Sequence, residues 1–140
     1  MPTKTYITVY IGDPVDLTEY RHTALYFQFE TASPLLLQIT GAHGFFAYDK
    51  QDNYDLAETK SCLAKLIPVA DIPDSFSPDR IQAIVASTPI RNGRLNRDWN
   101  SHNWVGEALS GLVVAGCLKF EERERGVDKM MDACMEAGDE

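Results

Sequence analysis

The segment NSHNWVGEALSGLVVAG, residues 100–116, predicts the helix around which the rest of the chain folds. Asn100 is a favourable N-cap, and Gly116 is a typical helix stop. Between them, apolar residues recur at helical spacing and form one stripe: Trp104, Val105, Ala108, Leu109, Leu112 and Val113. We expect this stripe to pack against a sheet formed by the preceding part of the chain.

The first half of the chain predicts that sheet. Strand-forming residues or apolar alternation mark residues 5–11, 22–29, 35–40 and 62–69, with a short hairpin-like return at 45–48. On the second segment, alternation separates two faces. One face carries Thr23, Leu25, Phe27 and Phe29, and the other carries His22, Ala24, Tyr26 and Gln28. Pro68 and Pro73 confine the last strand towards a sheet edge.

Two further helices flank the central one. Ser77-Pro78-Asp79 is a typical helix start and predicts a helix over 78–86, while an amphipathic pattern follows from Glu121 onward. Residues 88–98 form a loop between the first two helices. The expected fold is therefore α+β: one domain, residues 1–140, with a small antiparallel sheet packed on a central helix.

Composition narrows the function classes. The chain has 140 residues, 44% hydrophobic and 24% charged, and a formal charge of −8, which argues against nucleic-acid binding. No apolar run is long enough to span a bilayer and no signal peptide is evident, so we expect a cytoplasmic protein. Cys62, Cys117 and Cys134 are widely spaced, so we expect no disulfide framework, no metal site and no cofactor.

Three residues combine in a way that suggests catalysis. Ser101 lies in the first turn of the central helix, where unpaired backbone N–H groups stabilise negative charge. His22 is suited to act as a base, and Gln38 on the next strand is suited to orient the imidazole. The alternative is structural: Ser101 as a capping hydroxyl and His22 as an ordinary half-buried histidine.

These same segments carry a family resemblance. The strand HTALYF at 22–27, the strand LLQI at 36–39 and the helix start NSHNWV at 100–105 resemble, in order and spacing, the circularly permuted papain-like superfamily. That superfamily includes lecithin:retinol acyltransferase, the H-rev107-type phospholipase/acyltransferases and permuted NlpC/P60 proteins. The chain is also similar to small filamentous-fungal proteins that share the phrases ITGAxGFF, here 39–46, and NCQNWVGxAL, here 100–109.

The resemblance implies a papain-like fold in which His22 is the base and residue 101 the nucleophile. The chain departs from the pattern twice, with Ser101 in place of Cys and Gln38 in place of a second His. A serine hydroxyl is too weak an acid to ionise at a helix start, so it depends on a base during attack. A natural serine variant, an engineered Cys→Ser replacement and a scaffold with a redirected cleft all remain open.

Six other residues are candidates for substrate binding: His43, Arg91, Arg94, Arg97, His102 and Trp104. The arginines lie in the loop that leads into Ser101 and are suited to clamp a carboxylate or phosphate. Each also has a simpler interpretation. The arginines can belong to a solvated loop, His43 can be an ordinary loop residue, His102 can lie at the surface or the rim of a cleft, and Trp104 can be a core residue.

Three functions fit these observations. The leading one is a small hydrolase or acyl-transfer enzyme, in a setting such as fungal secondary metabolism. The second is a repurposed cyclase or isomerase that uses histidine acid/base chemistry on a small molecule, with the Ser101 hydroxyl as a hydrogen-bond donor. The third is a non-catalytic binding domain. The expected partner is a small-molecule substrate or ligand, with a homodimer as one option.

Overall fold

The computed structural model describes residues 2–12, 21–42, 44–93 and 98–137. His43, Arg94 and Arg97 lie outside these ranges. Five strands form one sheet: β1 (Thr3–Tyr10), β2 (Thr23–Gln28), β3 (Leu35–Thr40), β4 (Ala47–Asp52) and β5 (Leu63–Ile72). A short 3-10 helix (Leu56–Thr59) precedes β5, and three α-helices follow: α1 (Pro78–Ala86), α2 (Ser101–Val114) and α3 (Phe120–Met135).

The sheet is antiparallel throughout, in the order β4-β3-β2-β1-β5. β5 is an edge strand, as Pro68 predicts. The β1–β5 register shifts between Thr5 and Tyr6, where Pro68 is the partner of Tyr6, because proline cannot donate to the ladder. This confirms the α+β class and the antiparallel sheet.

The helices cover one face of the sheet. α2 contacts α1 and α3 on its sides and β2 and β3 beneath it, so it is central as expected. The main core joins the apolar stripe of α2 to residues such as Leu25, Leu37 and Ile39 of the sheet. A smaller cluster of Ala24, Tyr26 and Leu36 alternates with these residues and lies on the opposite face, which we call the outer face.

Local signals account for the helix ends. Asn100 caps α2, accepting from the His102 N–H, and Asn103 completes a capping box by accepting from the Asn100 N–H. Gly116 ends α2 with a φ of 88°, a conformation that favours glycine. Among the described residues, every helix is too short or too polar to cross a bilayer.

The largest difference from expectation is β4. It runs to Asp52 instead of ending at Tyr48, because the polar residues that follow continue the ladder with β3 on an exposed edge. Asp55 then caps the 3-10 helix by accepting from the Ala57 N–H. The polar residues after Tyr48 therefore contain most of a strand and a helical turn.

Candidate functional site

A hydrogen-bonded relay of three side chains crosses the outer face of the sheet. The Nε2 atom of His22 lies 2.7 Å from Oε1 of Gln38, and Nε2 of Gln38 donates to a carboxylate oxygen of Asp49 at 2.8 Å. Gln38 and Asp49 are direct partners across the β3–β4 ladder, which explains their contact. Gln38 is buried and His22 is partly buried, so the hydrogen bond between them is largely shielded from water.

The relay determines which nitrogen of His22 carries the proton. A carboxylate only accepts hydrogen bonds, so the Gln38 amide must turn its NH₂ group to Asp49 and its oxygen to His22. The amide oxygen also only accepts, so Nε2 of His22 must be protonated. In the neutral ring Nδ1 then carries the lone pair, and in the described part of the chain Nδ1 has no hydrogen-bond partner.

The imidazole of His22 is neutral near pH 7. Burial lowers its pKa below the ordinary value, the hydrogen bond to Gln38 opposes that shift, and the nearby His102 lowers the pKa further. The ring of Tyr10 stacks on His22, with ring centroids 6.0 Å apart. A neutral, oriented imidazole with an available lone pair is the form in which histidine acts as a general base.

Tyr10 belongs to a second set of polar contacts on the outer face. Its hydroxyl shares a 2.6 Å hydrogen bond with the hydroxyl of Tyr54, which shares another of 3.0 Å with the Thr59 hydroxyl. Burial, followed by the bond to Tyr54, raises the pKa of Tyr10 well above its ordinary value. The phenol therefore stays protonated and neutral at any physiological pH.

An open cavity of about 620 Å³ lies on the same face. Two of its lining residues bond directly to the groups just described: Tyr54 to Tyr10, and Gln51, whose amide donates to Asp49 at 3.2 Å. The volume is within the range typical of small-molecule sites. His22, Gln38 and Asp49 do not line the cavity themselves, but Gln51 and Tyr54 connect it to Asp49 and Tyr10 by direct hydrogen bonds on the same face.

Ser101 makes different contacts. Its Oγ accepts two hydrogen bonds from Thr23, one from the backbone N–H at 3.1 Å and one from the hydroxyl at 3.2 Å. No hydrogen bond joins Ser101 to His22 in the described chain. The alternation of β2 gives the reason, since Thr23 points to the helices whereas His22 contacts Gln38 on the outer face.

His102 is buried rather than placed at a rim. Its Nε2 lies 2.6 Å from the carbonyl oxygen of Arg21 and 3.4 Å from the sulfur of Cys134. Because a carbonyl only accepts, Nε2 must carry the proton. Burial lowers the pKa of His102, while the bond to the Arg21 carbonyl opposes that shift.

The other candidates for substrate binding have structural roles where they are described. Trp104 is fully buried, with its ring beside that of Tyr48, because its place on the α2 stripe faces the sheet. Arg91 pairs with Glu107 of α2 at 3.1 Å, and Glu107 also accepts from the indole N–H of Trp99. His43, Arg94 and Arg97 lie outside the described residues.

His22 and Gln38 are in contact, as their place on the predicted sheet indicates, whereas no pattern in the sequence points to Asp49, Tyr10 or Thr23. Asp49 becomes recognisable only once β3 and β4 are paired, because the register places it opposite Gln38. In the described residues, no cluster of His, Cys, Asp and Glu has the geometry of a metal site.

Comparisons with known proteins identify a family for the chain. No curated protein and no solved structure shows significant similarity to the chain. A family model matches residues 9–119, a range that contains His22, Gln38, Asp49 and Ser101. The match covers most of the sequence, and the chain therefore belongs to DUF6540, a family of unknown function.

Proposed function

We propose that the protein is an enzyme that moves a proton on a bound small organic molecule, with His22 as general base and acid. The observation that carries this proposal is the His22–Gln38–Asp49 relay, which orients a neutral imidazole and leaves Nδ1 as the acceptor. Isomerisation and cyclisation are reaction types that use such a group without a covalent nucleophile. The cavity lined by Gln51 and Tyr54 supports a small-molecule substrate.

In this mechanism, Nδ1 of His22 accepts a proton from substrate carbon or oxygen, and the ring becomes an imidazolium. Gln38 then still accepts from Nε2–H, and the carboxylate of Asp49 holds the amide in place. The proton returns from Nδ1 to another atom of the same molecule, which completes the isomerisation. Ser101 accepts two hydrogen bonds already, so its remaining capacity is that of a donor.

Deuterium exchange tests the proposal without knowledge of the natural substrate. A panel of enolisable cyclic ketones is incubated with the protein in D₂O, and deuterium uptake beside the carbonyl is followed by mass spectrometry. We expect the protein to accelerate exchange, and His22→Ala to lower the rate by roughly 10²–10⁴-fold, the usual contribution of general acid/base catalysis.

Asp49→Asn has a matched control away from the cavity. Its amide no longer selects one orientation of Gln38, so we expect a smaller but clear loss of exchange. Asp128→Asn makes the same charge change at an exposed residue of α3, on the opposite side of the sheet from the cavity, and should retain the wild-type rate. Equal rates in wild type and His22→Ala would refute the proposal.

A second candidate is a hydrolase or acyl-transfer enzyme with residue 101 as nucleophile. The observation in its favour is that Ser101 is the first residue of α2 and is bonded to the residue that follows His22. The two hydrogen bonds that its oxygen accepts from Thr23 lower its nucleophilicity, and attack also requires a base to take the hydroxyl proton. Labelling of Ser101 by a fluorophosphonate, abolished in His22→Ala, would favour this candidate over the first.

The same choice can be made with a thiol. In Ser101→Cys, alkylation by iodoacetamide well below pH 8 that disappears in the His22→Ala double variant would show a papain-like pair. Ordinary thiol reactivity in both variants would leave the proton-transfer proposal as the better one.

A further inference from the structure

Both peptide groups that flank His22 are bonded to the first turn of α2. On the N-terminal side, the carbonyl oxygen of Arg21 accepts from Nε2 of His102 at 2.6 Å. On the C-terminal side, the N–H of Thr23 donates to Oγ of Ser101 at 3.1 Å. The His22 carbonyl, which belongs to the same peptide group as that N–H, accepts from the N–H of Tyr10 at 2.8 Å.

Fixing both peptide groups fixes the backbone of the residue between them. Each peptide is planar, so the two planes on either side of a residue determine its φ and ψ. The direction of the Cα–Cβ bond of His22 is then set, and the Gln38 bond and the Tyr10 ring set the imidazole at its far end. Little freedom remains for Nδ1.

The element that holds these peptides is itself rigid. The capping box of Asn100 and Asn103 closes the first turn of α2, and Trp104 anchors it in the core with no exposed surface. The side chain of Arg21 donates to the carbonyl of Ala133 at 2.8 Å, which ties the same segment to α3. Ser101 and His102 are both buried, so their hydrogen bonds are shielded from water.

We propose that Ser101 and His102 are positioning residues that clamp the backbone of His22 and thereby aim its Nδ1 at the substrate. The inference rests on the proposed role of His22 as the base. In this role both residues affect catalysis by fixing the backbone of His22, and neither of them needs to touch the substrate. It also accounts for a buried histidine whose ring bonds a main-chain carbonyl immediately before the base.

The test compares three variants by nitrogen-15 NMR of the His22 ring and by ketone deuterium exchange. His102→Leu removes the donor to the Arg21 carbonyl, His102→Gln keeps an amide donor, and Leu109→Ala destabilises the same helix without touching the clamp. In wild type we expect the nitrogen-15 chemical shifts of the His22 ring to show the pattern of the Nε2–H tautomer. In His102→Leu we expect these shifts to move towards those of a mixture of tautomers, and the rate of ketone deuterium exchange to fall at least tenfold. His102→Gln should recover most of both signals.

Leu109→Ala separates positioning from general destabilisation, because we expect a lower unfolding midpoint with an unchanged His22 pattern. Ser101→Ala removes the acceptor of the Thr23 N–H and serves as the second arm if His102→Leu fails to fold. An unchanged His22 pattern in both His102→Leu and Ser101→Ala overturns the clamp. A pattern that responds while the wild type shows no exchange supports the clamp and overturns only the proposed function.

Discussion

Acidification is expected to weaken the fold through two histidines that the folded chain holds neutral. Burial lowers the pKa of His22 and of His102 below the ordinary value of about 6.5 that an unfolded chain shows. Below that value the unfolded chain binds protons that the folded chain does not bind. Their contribution to stability is therefore complete above pH 6.5 and is lost as the pH falls towards the folded pKa values.

The slope of this loss can be worked out for each group. One histidine that is protonated only in the unfolded state lowers the free energy of unfolding by about 1.4 kcal/mol per pH unit, so two give a slope of up to about 2.7 kcal/mol. Tyr10 and Cys134 add nothing to it, because their pKa values are raised and both groups stay neutral throughout. The loss of net negative charge on acidification acts in the opposite direction, by reducing self-repulsion.

The assay is urea unfolding between pH 7.5 and 5.5, in which each variant is compared with wild type so that the general charge effect cancels. His22→Asn and His102→Gln should each reduce the slope by up to about 1.4 kcal/mol per pH unit. Leu109→Ala, which removes no titrating group, should lower the whole curve and leave its slope unchanged. A wild-type slope in His102→Gln would refute the reasoning for that residue.

Two further predictions concern packing. In the folded chain, iodoacetamide at pH 8 should label Cys62 alone, since Cys117 and Cys134 are buried and burial raises the pKa of both thiols, to about 11 for Cys134. Unfolding in urea should expose all three thiols, and mass spectrometry counts the adducts. Gly126→Ala gains about 1 kcal/mol of helix propensity, but the added Cβ would lie 3.2 Å from one methyl group of Val69 and 3.4 Å from the other, where α3 packs on the sheet. Because this glycine is buried, we expect the crowding to outweigh that gain and lower the midpoint of urea unfolding. A raised midpoint would show that α3 can move away from Val69.

The helices and the sheet class are predictable from sequence because their signals are local. Ser77 before Pro78, Asn100 as N-cap and Gly116 as stop each specify a helix end through bonds within a few residues, and the structure has all three. β4 is harder to predict, because an exposed edge strand buries little and its polar residues resemble a loop. Its existence depends on pairing with β3, which is a non-local interaction.

The candidate site shows the same division between local and non-local information. His22 immediately precedes β2 and Gln38 lies on the adjacent β3, on the same face of the sheet, so their contact follows once β2 and β3 pair. Asp49 is a charged residue on an edge strand, and without the register it resembles many other solvated acids of a chain with charge −8. The tautomer of His22 depends on that acid, so the chemistry of the site was not accessible from its two recognisable members alone.

The helix start at residues 100–105 is the point at which the resemblance and the geometry differ most. The resemblance implies that Ser101 is a nucleophile and that His22 is its base. In the structure, however, Thr23 points towards α2 and bonds Ser101, whereas His22 makes its contacts on the outer face. A serine oxygen that accepts two hydrogen bonds from Thr23 is well suited to hold a strand and poorly suited to attack a carbonyl. If a thiol stood at that position, sulfur would be a weaker acceptor for the same N–H, and the tie to β2 would loosen. The contacts of Ser101 therefore support its proposed role in positioning the backbone of His22 better than a role as a nucleophile.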